Sequence, residues 1–198
     1  MHAIWGVLAM EKRNFVEPLR MGRVGRTLVL LNVLLVASFF LTSLYYCSLL
    51  PEEVPIHWNL RGEIDAYGAK TTVFVLAAVL SIANILIILI TTFRFKIINR
   101  YPYLISMPAI ALLIGSDRLS PKEKGRYVNR VFEVFLATGC IAGAYLLGLQ
   151  YVIFDATVSF SPLPHWFVWY VFGGIPFLLA PGLLLCRKIY RDLRTVVG

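Results

Sequence analysis

The chain has 198 residues, of which 59% are hydrophobic and only 15% charged, and it carries a formal net charge of +8. A soluble domain holds roughly 45–50% apolar and about 25% charged residues, so this balance excludes an ordinary globular class. The strong positive charge invites a nucleic-acid reading, but no zinc-finger or RNA-binding signature accompanies it, and the basic residues border apolar runs instead.

Those runs lie at about 27–50, 71–93, 131–154 and 166–186. A hydrocarbon core of about 30 Å takes about twenty helical residues to cross, so each is long enough to span. They are continuous rather than alternating, which favours helices over a membrane barrel. The expected fold is an all-α integral membrane protein: a four-helix transmembrane bundle, an ordered extracytoplasmic loop between helices 1 and 2, and an interfacial or re-entrant cytoplasmic segment. The corresponding organisation is a cytoplasmic N-terminal segment (1–26), a two-helix unit with an external loop at 51–70 (27–93), a basic cytoplasmic connection (94–130), helices 3 and 4 (131–186) and a cytoplasmic tail (187–198).

Met1, Met10 and Met21 are three candidate starts that the sequence does not rank. Arg20, Arg23 and Arg26 precede the first run like a signal-peptide n-region. The run is longer than a typical h-region and no small-residue cleavage site follows, so it reads as a retained anchor. Of the nineteen basic residues, seventeen fall before the first run, between the second and third, or after the fourth. The positive-inside rule makes those segments cytoplasmic, with both termini inside a cell membrane and the 51–70 loop outside.

Within the runs, Asn32, Asn84 and Gln150 are neutral, and Glu133 sits at a border, where it is expected to snorkel or pair with Arg130. Gly139 and Gly143 form a GxxxG pair that permits close helix approach, inside the bundle or in a homo-oligomer. Cys47, Cys140 and Cys186 lie at different depths and suggest neither a disulfide framework nor a metal cluster. Between runs two and three, Tyr103–Gly115 is apolar, too short to span and interrupted by Pro108. Ser120-Pro121-Lys122-Glu123 has the pattern of a capped helix start, and that helix is expected to continue into the third run. In the fourth run, Gly173, Gly174, Pro176, Pro181 and Gly182 predict a kink. A broken helix can line an ion site, although the second run has no matching break to suggest an inverted repeat.

The external loop reads PEEVPIHWNLRGEIDAYGAK. Pro51 and Pro55 stop the helix and hold the chain extended, Trp58 and Tyr67 suit the interfacial belt, and Gly62 and Gly68 permit turns. Asp65 is expected to accept from turn amides or pair with Arg61 or Lys70. The loop then forms a compact cap over the helix ends. Its functional alternative is a metal or cation site, with His57 and Asp65 as candidates and His165, in the other external connection, approaching in space. No HxxxH, HExxH or CxxC spacing supports it.

Pro55, His57, Trp58, Asn59, Gly62, Asp65, Tyr67, Gly68 and Lys70 give nine fixed positions in sixteen, P-x-H-W-N-x-x-G-x-x-D-x-Y-G-x-K. This resembles the signature of a prokaryotic membrane domain that also forms the N-terminal part of SdpI-like immunity proteins, which protect a cell from a secreted killing factor. Ile64 stands where the family often has proline, and the last two runs do not match the second half of SdpI. The resemblance implies membership of that family and, with it, an immunity role. The residues themselves show no base beside a nucleophile or metal set, so the expectation is a multi-pass membrane protein without evident catalytic chemistry and with no cofactor. Its external loop would bind an extracellular peptide or a partner membrane subunit, in contact with membrane lipid. The alternatives are a transporter or channel component, and a membrane enzyme or metal-binding protein using His57 and the loop acids.

Overall fold

A computed structural model of the chain describes residues 16–101 and 108–197. Helix α1 spans Arg23–Leu49, followed by strands β1 (Glu53–Trp58) and β2 (Ile64–Ala69). Helix α2 covers Thr72–Arg100, α3 Pro108–Gly115, α4 Pro121–Ser159 and α5 Trp166–Val197. The apolar runs thus become helices, with the basic flanks extending α2 and α4 beyond them. Of these, α1, α2 and α4 are long and apolar enough to cross a membrane. The chain is not strictly all-α: the loop at 51–70 folds as a two-stranded antiparallel sheet.

Burial runs opposite to that of a soluble protein. Leu30, Leu41 and Val75 are at least half exposed, whereas Asn32, Ser43, Asn84 and Gln150 are fully buried. In lipid, apolar side chains lose nothing by facing outward, and polar ones must find partners inside. They do so here. Asn84 Nδ2 donates to Asn32 Oδ1 at 2.8 Å and to the Gly139 carbonyl at 3.0 Å. Asn32 Nδ2 in turn meets the carbonyls of Leu28 and Leu136 at 2.8 and 3.0 Å. Nearer the hairpin, Gln150 Nε2 donates to the Phe39 carbonyl and to Ser43 Oγ, and Ser43 Oγ donates to the Val73 carbonyl. Both networks tie α1, α2 and α4 together. The GxxxG pair serves this packing: a Cβ on Gly139 would lie 2.6 Å from Asn32 Oδ1, and one on Gly143 2.7 Å from Asn84 Nδ2.

Helix α5 packs on α4 and α3. Tyr145 and Tyr170 clasp it to α4, their rings stacked at 4.4 Å and each hydroxyl donating to the other's carbonyl. It runs as one helix through positions 176 and 181.

At the opposite end from the hairpin, the segment before α1 is pinned. Asn99 exchanges two bonds with the Val16 backbone, and Glu17 N donates to the Pro121 carbonyl. The buried Arg94 guanidinium donates to Asn129 Oδ1, the Thr91 carbonyl and the Leu19 carbonyl. Glu133 does not meet Arg130, whose guanidinium lies over the Tyr127 ring. Its Oε1 instead faces the start of α1, 3.0 Å from where a Cβ on Gly25 would sit, where the helix dipole favours an anion. The Ser120 cap is as expected: Ser120 Oγ accepts from Glu123 N, and Glu123 Oε2 accepts from Ser120 N. Of the apolar stretch 103–115, residues 103–107 lie outside the described residues. The rest is α3, whose Ile110 and Leu113 are fully buried with Val16, Ile98, Val128 and Leu193.

Candidate functional site

The hairpin is seated by burial first. Val54 packs with Leu50, Val73 and Phe154, so β1 rests on the ends of α1, α2 and α4. The strands pair Glu53 with Ala69, Val54 with Gly68 and Pro55 with Tyr67, then His57 with Ala66 and Trp58 with Ile64. The register is irregular on both sides of His57. Proline lacks the amide that a regular ladder requires and is tolerated beside such a break.

Most signature residues have a defined task. Asn59 Oδ1 accepts from the amides of Arg61 and Glu63 at 2.9 and 3.0 Å, and its Nδ2 donates to Glu63 Oε2. The turn is therefore capped by Asn59, not by Asp65 as the sequence suggested. Asp65 meets His57 instead, with Oδ1 2.5 Å from Nδ1. Gly62 has φ +81°, a conformation that favours glycine, and its carbonyl accepts from Leu163 N at 2.8 Å. Trp58 Nε1 donates to the Ser161 carbonyl at 3.1 Å, a second tie to the α4–α5 connection. Gly68 admits Ile56, whose Cδ1 would lie 2.8 Å from an added Cβ. Lys70 pairs with Glu52 at 2.9 Å rather than with Asp65, and that hydrogen bond and charge hold its ammonium above the ordinary lysine value. Pro55 is buried, and the Tyr67 ring is exposed.

Two cavities meet at Trp58. The larger, about 410 Å³, lies between β1 and the hairpin ends of α2 and α4. Its walls include Pro55, His57 and Trp58 of the signature, Phe154 of α4, and Val75 and Val79 of α2. Because Val75 and Val79 are more than half exposed, this groove opens sideways along α2. The smaller, about 240 Å³, lies between the hairpin turn and the start of α5 and takes in Arg61 and His165. His57 and His165 thus face different cavities, and the two-histidine arrangement is not formed. Among the described residues there is no group of three or more His, Cys, Asp or Glu side chains placed to hold a metal.

Sequence reading missed the partners across the chain. Ser161 and Leu163 contribute only backbone to the hairpin ties, which no side-chain pattern signals. The Asn32–Asn84 bond had a readable signal in an amide within each of the first two apolar runs and a GxxxG pair in the third.

The fold and site together define a mostly helical, membrane-type protein carrying a hairpin insertion between its first two long helices. Residues 33–81, which contain the whole hairpin, match the domain of unknown function DUF1648. The chain is 40% identical over 144 residues to an uncharacterised protein of Archaeoglobus fulgidus, covering 73% of this chain and 78% of that one. It belongs to the same family as that archaeal protein. No solved structure matches the chain.

Proposed function

We propose that the protein is a four-span component of the cell membrane, with both termini cytoplasmic, whose external hairpin receives a peptide segment lying at the membrane surface. The observation that carries the reading is the larger groove. Signature residues Pro55, His57 and Trp58 form one wall, and the lipid-facing Val75 and Val79 form another. A volume of about 410 Å³ is within the range of ligand sites, which are mostly apolar with few polar groups. The His57–Asp65 pair at the rim supplies a hydrogen-bonding contact for backbone or a polar side chain. Burial of one large apolar side chain would contribute about 1.5–3 kcal/mol.

Orientation rests on the basic residues. Arg94, Arg118, Lys122 and Arg191 lie in segments at the end opposite the hairpin, which the positive-inside rule assigns to the cytoplasm. Helix α5, with 32 residues and the tyrosine clasp to α4, is long enough to be the fourth span. Helix α3 then sits at the cytoplasmic ends of the bundle. A secreted peptide as occupant accords with the resemblance of the hairpin signature to SdpI-like immunity proteins, and a partner subunit's membrane-surface segment has the same chemistry.

The test is purification of wild type and Val75→Gln from native membranes in mild detergent, with identification of co-purifying polypeptides. A polypeptide retained by wild type and lost by a variant of equal thermal stability supports the reading. Identical sets contradict it.

A further inference from the structure

The smaller cavity has a composition unlike the groove. It is lined by Arg61 and His165 together with Phe167, Val171 and Phe172 of α5, and Trp58 lines both cavities. Among the described residues, neither the Arg61 guanidinium nor the His165 ring has a side-chain partner. The nearest carboxylate in sequence, Glu63, is held by Asn59 Nδ2 at 2.9 Å and does not line the cavity.

From this we infer that the smaller cavity binds an anionic phospholipid, its phosphate at Arg61 and His165 and the start of an acyl chain over Val171 and Phe172. A guanidinium offers paired donors that match phosphate oxygens. Free phosphate would gain nothing from the apolar lining of Phe167, Val171 and Phe172, whereas a lipid covers it. The level is also right. Trp166 and Trp169, at the start of α5, are 52% and 78% exposed, as aromatic rings of the headgroup belt are. Phe172, one turn further, is 63% exposed, so the trough is open for an acyl chain to enter from the side. The inference needs the hairpin end to lie at a membrane surface, but not the peptide reading of the larger groove.

The experiment is native mass spectrometry and thermal melting of the full chain in detergent, titrated with phosphatidylglycerol, phosphatidylcholine or inorganic phosphate. The basic end will also attract anionic lipid, so Arg61→Gln is compared with Lys122→Gln, which removes equal charge there. Wild type and Lys122→Gln should retain one tightly held phosphatidylglycerol and melt several degrees higher with it. Arg61→Gln should weaken that binding about tenfold, and Phe172→Ala should weaken it while melting normally without lipid. Phosphatidylcholine and inorganic phosphate should give neither effect. Equal retention by Arg61→Gln and Lys122→Gln overturns the inference, as does equal protection by inorganic phosphate. Protection by a short acidic peptide that displaces the lipid would assign the site to a protein ligand and also overturn it.

Discussion

Gly62 and Leu163 bind each other through backbone alone. The Gly62 carbonyl accepts from Leu163 N at 2.8 Å, and the Leu163 carbonyl lies 2.6 Å from where a Cβ on Gly62 would be. An alanine at position 62 must adopt φ near +81° and displace the α4–α5 connection as well. The left-handed strain alone costs about 1–3 kcal/mol. Gly62→Ala should lower the melting temperature in detergent, whereas Gly115→Ala, with open space at its Cβ, should not. Thermal unfolding of the two variants beside wild type checks this.

The turn cap makes a ranking testable. Asn59 satisfies two backbone amides in the turn, and its loss leaves them dependent on water, at about 1–2 kcal/mol. Asp65 pairs with His57 on a surface where both side chains are well exposed, and such pairs contribute at most about 1 kcal/mol. Asn59→Ala should therefore destabilise more than Asp65→Ala in the same melts. The reverse order would return the turn to Asp65.

The buried amides should couple. Asn32 and Asn84 share a bond at 2.8 Å inside the bundle, and interhelical bonds of this kind contribute about 0.6 kcal/mol on average and up to about 1.7. A double-mutant cycle of Asn32→Ala and Asn84→Ala, read by unfolding in detergent, should give a favourable coupling in that range. Strict additivity would mean that the two amides act separately.

How much of this was legible in the sequence depends on whether the signal was local. The apolar runs gave the helices because lipid demands about twenty such residues in succession, and Ser120 and Glu123 gave the start of α4 because a capping box is local chemistry. The signature marked the right loop, but not its strands. Alternation is broken at His57, and proline and two glycines mask strand character. Roles assigned to Asp65 and Lys70 went astray because an acid can pair with several neighbours, and register decides which. The groove was illegible, since it joins Trp58 to Val75 and Phe154 across three elements.

Topology has a direct readout. In a variant lacking Cys47, Cys140 and Cys186, single cysteines replace Arg61 in the hairpin turn and Lys122 in the first turn of α4. On intact cells an impermeant maleimide should label position 61 and spare position 122 until the membrane is opened. Both positions are exposed, so folding does not confound the comparison.

The claim that the hairpin groove receives a peptide is tested most directly by a photoreactive residue at position 75, in the groove wall, with Leu89 as a lipid-facing control elsewhere on α2. Irradiation of native membranes should give a discrete polypeptide adduct from position 75 but not from position 89, and Trp58→Ala should abolish it. Lipid adducts alone from both positions, unchanged by Trp58→Ala, would contradict the account.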